Sequence, residues 1–418
     1  MAVFNTIIGM GATVMMPIIF FILGLIFKVG PGKAFKAGMT VGIGFTGINM
    51  VVNLLLGSLG PAAQDMAERF GLKLTVVDVG WATGAAIGWA SPLIPFIVAG
   101  AILLNVFLLL INKTKIINID IFNYWLISFV GTMVYVASGN MVLGVAAALV
   151  LYLLAFIIGD LTAEPIQKMY NIKGVGFVHA TCAIYVPIGI AVNWIIEKIP
   201  GLNKIELNPE KITKTLGVLG EPVALATILG AGLGFLAGWP VNKVLPLAVD
   251  VAAVMVLLPK MVEVTVEGVM VIRDAAEIHM KKLFPNREFY FGMDTALLIG
   301  EPSIIATSLL LIPTALVLAM ILPGNKMLPF TDLASIVFLI SMAAPFCKRN
   351  MFRIYLTGIV ILVISLYAGT SLGPVYTTAA KEAKVKVSVE GQELGNLVSP
   401  YNTPVGWAMI KCAELFKK

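Results

Sequence analysis

Charge is scarce in this chain: only 12% of its 418 residues are Asp, Glu, Lys or Arg, against roughly 25% in a soluble globular domain. With 59% hydrophobic residues and a mean hydropathy of +0.96, that shortage excludes an ordinary water-soluble fold. Cysteine is nearly absent too, and Cys182, Cys347 and Cys412 stand alone without a CxxC pair. They read as soft packing residues, not as a disulfide framework or a metal site. The chain lacks a G-x-x-x-x-G-K-[ST] string, which excludes an internal nucleotide motor. It also lacks an arginine ladder or a filter-like repeat, which argues against a channel. Energy for any transport must come from an ion gradient or a separate subunit. No basic stretch precedes the first apolar run, so that run reads as a retained helix and not as a signal peptide.

Long apolar runs are what the chain has instead. Runs over 8–27, 37–56, 91–111, 121–137, 141–158, 216–239, 245–266, 303–322, 333–346 and 354–372 give about ten segments near the length that crosses a bilayer. Backbone amides find no water in hydrocarbon, so these segments are expected to be helices. Short alternating segments of the β-barrel kind are not evident.

The formal charge of +6 fits topology better than nucleic-acid binding. Placing the N-terminus outside puts Lys28, Lys33, Lys36, Lys113, Lys115, Lys168, Lys173, Lys198, Lys204, Lys211 and Lys214 inside. In the second half Lys260, Arg273, Lys281, Lys282, Arg287, Lys348, Arg349 and Arg353 also fall inside. Outer loops before the tail hold only Arg69, Lys73, Lys243 and Lys326, as the positive-inside rule requires. Counting 175–196 as a full crossing would turn the basic loops of the second half outward. Its Gly174, Gly176, His179, Thr181 and Pro187 fit a re-entrant hairpin covered by protein or a wet cavity.

The hydrophobic plan occurs twice. Asp78 opens an interrupted apolar stretch ending near Leu110, and Asp294 opens one ending near Leu322. The match continues through Asn112-Lys113 against Asn325-Lys326, Asp120 against Asp332, and Asn140-Met141 against Asn350-Met351. The expected fold is therefore an all-α polytopic membrane protein, its helices arranged in two inverted five-helix repeats with re-entrant hairpins. Residues 1–215 form the first repeat with its linking hairpin, 216–372 the second, and 373–418 a polar tail ending in a short amphipathic piece. Interrupted segments at corresponding places in two halves point to a transporter site near the bilayer midplane.

Ionisable groups at membrane depth are costly and suggest function. Asp78 and Asp294 lead the candidates, each read either as a ligand contact or as a cap on its broken segment. Glu221 in Gly220-Glu221-Pro222 and Glu301 in Gly300-Glu301-Pro302 either hold solute or cap a helix N-terminus. His179 lies inside the apolar hairpin, where it either contacts solute or is a satisfied interior residue; His279, in a charged helix, reads as a surface residue. Trp81 offers a flat apolar face and one N–H donor, although Trp also marks membrane interfaces. Carboxylates, an imidazole, amides and hydroxyls around one cavity suit a small uncharged solute with many hydroxyls, since each hydroxyl must exchange water for a partner. On this reading Asp78→Asn and Asp294→Asn weaken binding and Asp120→Asn does not. A proton- or cation-coupled secondary transporter is the alternative, with the same acids as proton sites. No catalytic residue, cofactor or metal is expected.

The chain carries, in order, Gly11-Ala12-Thr13-Val14-Met15, Gly42-Ile43-Gly44-Phe45, Leu59-Gly60-Pro61-Ala62-Ala63, Val77-Asp78-Val79-Gly80-Trp81, Ile196-Glu197-Lys198-Ile199-Pro200-Gly201, Gly220-Glu221-Pro222-Val223 and Leu322-Pro323-Gly324-Asn325. Together these strings resemble the galactitol-type IIC membrane component of the bacterial phosphoenolpyruvate-dependent phosphotransferase system. The resemblance implies a two-fold-repeated permease of the bacterial inner membrane, homodimeric and related to the ascorbate-type permeases. It implies a polyol substrate such as galactitol, phosphorylated by a phosphocysteine on a separate IIB subunit that IIA charges. Asp78, Asp294 and His179 match family-like positions. The basic loop from Lys281 to Arg287 then reads either as a docking surface for the phosphorylated partner or as a plain positive-inside loop.

Overall fold

A computed structural model describes residues 12–71, 74–120, 123–285, 287–329, 331–385 and 391–417. Residues 8–11 of the first expected run, residue 121 of the fourth, Lys73, and Lys386 and Glu390 of the tail lie outside the described residues, as does the side chain of Lys281. Helices dominate. In chain order they are α1 (Ala12–Ile26), α2 (Pro31–Arg69), α3 (Trp81–Ala90), α4 (Ile94–Leu110), α5 (Tyr124–Ser138), α6 (Met141–Tyr170), α7 (Cys182–Lys198), α8 (Pro209–Leu216), α9 (Pro222–Leu236), α10 (Val241–Leu283), α11 (Pro302–Ile321), α12 (Ile336–Ser341), α13 (Met351–Glu382) and α14 (Pro404–Glu414).

Among the described residues, five helices are long and apolar enough to cross a membrane: those within α2, α6, α10, α11 and α13. The pair α3 and α4, bent by 94° at a short break, makes six if counted as one span. The break holds Pro92, which has no N–H to continue a helix ladder. Helices α1, α5 and α9 are apolar but shorter. The expected run 333–346 is not one helix: it divides into the 3-10 turn Leu333–Ser335, α12 and the 3-10 turn Ala344–Cys347.

At 39 and 43 residues, α2 and α10 reach about 58 and 65 Å, roughly twice the hydrocarbon thickness. They pack antiparallel. Gly44 of α2 lies against Thr265 and Gly47 against Met261, while Gly268 of α10 lies against Val41. Glycine lets two backbones approach where lipid supplies no hydrophobic drive. Ser58 then donates to Asp250 at 2.7 Å, and the Trp239 indole donates to Asp65 at 2.5 Å.

Among the described residues six short strands organise the interior: β1 (Val76–Asp78), β2 (Ile116–Asn118), β3 (Val175–Gly176), β4 (Tyr290–Gly292), β5 (Met327–Leu328) and β6 (Glu393–Gly395). They form two three-stranded sheets, β5-β1-β6 and β2-β4-β3. All four pairings are parallel. The central strand of the first sheet precedes residue 216 and both its neighbours follow it; in the second sheet the order is reversed. Asn140 caps α6 by accepting from Val142 and Leu143, and Asn350 caps α13 by accepting from Phe352 and Arg353. These are two of the positions that matched in sequence.

The expected boundary at 372/373 falls inside α13, which runs on to Glu382 with Tyr376, Ala379 and Ala380 buried. Beyond it the chain re-enters the protein: Asn396, Leu397, Ser399, Tyr401, Asn402 and Thr403 are fully buried. The boundary at 215/216 falls at the end of α8.

Candidate functional site

A cavity of about 410 Å³ lies where the loops beyond β3, β4 and β6 meet α2 and the starts of α3, α5 and α12. That volume suits a small organic solute. The α2 wall supplies Phe45, Ile48, Asn49, Val52 and Asn53; Trp81 opens α3, and Asn123 precedes α5 with Trp125 and Leu126. Opposite stand His179, Thr181 and Cys182, then Asp294 and Ala296, with Ser335, Phe338, Leu339 and Val398 completing the wall. Asn49 and Asn53 are exposed and mark the mouth. The Trp81 and Trp125 rings lie 6.2 Å apart at an interplanar angle of 31°, giving a flat apolar surface with a donor edge.

Asp294 leaves β4 with its carboxylate accepting from the Ala296 amide at 2.6 Å and from the Asn123 side-chain amide at 2.5 Å. Asn123 also donates to Asp120 at 2.7 Å, so one amide holds two carboxylates. An ionised carboxylate has about four acceptor sites, and those Asp294 does not use inside the protein remain for a donor in the cavity. His179 accepts at Nδ1 from the Thr181 and Cys182 amides at 3.3 and 3.2 Å. Its proton is therefore assigned to Nε2, which makes the imidazole a donor.

Of the six candidates read from sequence, Asp294, His179 and Trp81 line this cavity and the other three do not. Asp78 is 1% exposed, and its carboxylate accepts from Gly80 at 3.0 Å and from the Asp332 amide at 2.9 Å. Asp332 in turn accepts from the Trp81 amide at 2.9 Å. The geometry at Gly80 requires a φ of 81°, which glycine adopts readily. Asp78 and Asp332 thus lock the backbone that presents Trp81. Glu301 caps α11, accepting from the Ser303 and Ile304 amides at 2.8 and 3.2 Å and from the Ser303 hydroxyl, and pairs with Arg349 at 2.8 Å. Glu221 stands exposed before α9 without a side-chain capping bond.

Asn49, Asn53, Asn123, Trp125, Thr181 and Ser335 enter the wall without having been singled out as solute ligands. Their common signal is a polar side chain within or beside an apolar run, which is also what interhelical hydrogen bonding leaves. Asp120, expected to be a silent control, is bound to Asp294 through Asn123.

A larger cleft of about 550 Å³ lies on the other side of the second sheet, lined among others by Glu164, Lys168, Lys173, Arg273, Glu277, Arg287, Glu288 and Tyr290. Much of its charge is internally paired: Arg273 with Asp274 at 2.8 Å and Glu277 at 3.1 Å, and Glu288 with Lys115 at 2.9 Å. The Arg287 guanidinium sits 5.6 and 5.2 Å from the Phe284 and Phe289 ring centres.

The model of a family described as PTS system sugar-specific permease component, EIIC-GAT, matches residues 6–391. The chain is 37% identical over 412 residues to the PTS system galactitol-specific EIIC component of Escherichia coli K12, covering 98% of this chain and 90% of that protein. It is 36% identical over 412 residues to a permease IIC component of the same strain, covering 99% of this chain and 94% of that one. Apolar spanning helices, a cavity with polar groups set in a largely apolar wall and similarity along nearly the whole length agree: this is a multi-pass membrane protein that belongs to the EIIC-GAT family of PTS sugar-specific permease components.

Proposed function

We propose that this chain is the membrane subunit of a phosphotransferase system that binds and translocates an uncharged polyol such as galactitol, with the phosphoryl group supplied by a separate IIB subunit charged by IIA. The observation that carries the reading is the cavity itself. It sets Asp294, Asn123 and His179 beside the paired Trp81 and Trp125 rings, so hydroxyls find acceptors and donors while the carbon chain lies against indole. Asp294, His179 and Trp81 act as direct contacts; Asp78 and Glu301 act at one remove, by fixing backbone. Glu221, exposed and outside the cavity wall, stands at the start of α9 without a side-chain capping bond and has no part in holding solute. Family membership favours this reading over a proton- or cation-coupled secondary transporter.

The architecture we infer is two inverted repeats, and the exchange of strands between halves supports it: β1 pairs with β5 and β6, β4 with β2 and β3. On this view the hairpin at 175–198 corresponds to 393–414, so the second repeat extends into the tail. We place the protein in the bacterial inner membrane as a homodimer, N-terminus outside, with the charged cleft facing the soluble partners. Lys36→Cys and Lys173→Cys should then react with an impermeant thiol reagent from the same face. Reaction from opposite faces overturns the topology.

The decisive experiment is solute-dependent phosphorylation in membrane vesicles with purified IIA and IIB and a panel of hexitols and pentitols. Product that forms only with a polyol and only with both partners upholds the reading. Uptake that survives without phosphoenolpyruvate but collapses with an uncoupler replaces it with gradient coupling.

A further inference from the structure

We propose that Thr181, Ser335 and Trp125 decide which polyol the cavity accepts, each through a polar atom that has no partner among the described residues. The inference rests on the polyol reading above.

All three residues line the cavity, and they are 1, 2 and 4% exposed. Among the described residues, the hydroxyls of Thr181 and Ser335 and the indole N–H of Trp125 make no hydrogen bond. Other hydroxyls nearby in the sequence behave differently. Ser128 donates to the Gly88 carbonyl at 2.8 Å and Thr132 to the Ser128 carbonyl at 2.7 Å, the ordinary fate of a hydroxyl in an apolar helix.

Local structure explains why these two hydroxyls are free. Thr181 immediately precedes α7 and Ser335 immediately precedes α12, places where such a side chain usually accepts from the first amides. Neither does so. At α7 the His179 imidazole takes the Thr181 and Cys182 amides instead. At α12 Ser335 has helical backbone, φ −84° and ψ 0°, where a capping residue is extended, and the first amide of the helix, that of Ile336, goes to the Leu333 carbonyl of the preceding turn.

A buried polar atom without a partner is unfavourable, and a ligand atom that completes the bond relieves it. Sites built this way reject an analogue lacking the matching hydroxyl far more strongly than an apolar pocket rejects a missing methylene. The chemistry of the set is selective as well. Trp125 only donates, an ionised Asp294 only accepts, and Thr181 and Ser335 do either. A carbon chain carrying several neutral hydroxyls can answer all four, because each hydroxyl both donates and accepts.

The test is equilibrium binding of labelled polyol to membranes holding the full chain, for the unaltered protein and for Thr181→Val, Ser335→Ala and Trp125→Phe. Each is measured against the parent polyol and a series of analogues lacking one hydroxyl. We expect each variant to lose roughly tenfold in affinity for the parent, the worth of one hydrogen bond, and little or nothing for one particular deoxy analogue. Thr181→Ser and Ser335→Thr keep the hydroxyl and should bind the parent at near the unaltered affinity, which separates a lost contact from a damaged fold. Equal losses for the parent and every analogue overturn the inference and leave the polyol reading standing. Absence of polyol binding by the unaltered protein overturns that reading, and this inference with it.

Discussion

Two aspartates at matching places in the two halves are held differently, and the difference lies in what donates to the second carboxylate oxygen. In Asp78 it accepts from the Asp332 backbone at 2.9 Å; in Asp294 it accepts from an Asn123 side chain in the cavity wall. Asp294→Asn is therefore expected to weaken polyol binding by roughly ten- to a hundredfold, the worth of a hydrogen bond to a charged group, while folded protein is recovered in near-normal yield. Asp78→Asn should lower melting temperature and yield first, and any fall in affinity should follow the loss of folded protein. Binding and thermal melts on the same preparations check both. Asp120→Asn cannot serve as a neutral control, because Asn123 bridges Asp120 to Asp294. We expect it to weaken binding less than Asp294→Asn does; affinity equal to that of the unaltered protein would show the bridge to be dispensable. At this scale the sequence disclosed the cavity residues whose chemistry stands out against apolar surroundings: an acid, an imidazole and an indole. Asn49, Asn53, Asn123, Thr181 and Ser335 escaped because their types recur along most of the apolar runs, and only the folded chain brings these five together.

Among elements, the long helices were legible as apolar runs, but their true extents were not. Helix α10 covers 43 residues and carries Pro246 and Pro259 inside it, whereas hydropathy marks only its apolar middle. The strands were invisible for a sharper reason. Each is two or three residues long, too short for an alternating pattern to register, and its partners lie far away in sequence. The seam between α2 and α10 offers a test. Because Gly44 faces Thr265 and Gly47 faces Met261, Gly44→Leu should force the two helices apart. An overpacked contact of this kind costs about 1–3 kcal/mol, read as a lower melting temperature in detergent. Gly57→Leu is the control, since a side chain there meets open space; equal losses at both positions would remove the close approach as the explanation.

For the whole molecule, composition marks 373–418 as a polar tail ending in a short amphipathic piece. The fold argues otherwise. Strand β6 completes the first sheet beside β1, Val398 lines the cavity, and Tyr401 packs on Phe129 and Tyr376 with ring centres 5.6 Å away in each case. A chain ending at residue 390 should lose polyol binding and most of its folded yield, even though the family match ends at residue 391. Normal binding by the shortened chain would show the tail to be an accessory. Polar residues at 381–393 disguised this return in the sequence, because a charged excursion between α13 and β6 reads as the start of a solvated end.

The crossed pairing of strands also bears on how the molecule is made. Val76–Asp78 is made first, yet it gains its second neighbour only when Glu393–Gly395, far later in the sequence, has been made. Until then an open strand edge waits inside a half-built bundle, a situation in which chains pair wrongly or with one another. A translational pause before residue 393 should therefore raise the fraction of misassembled chain, and a pause of equal length after residue 395 should not.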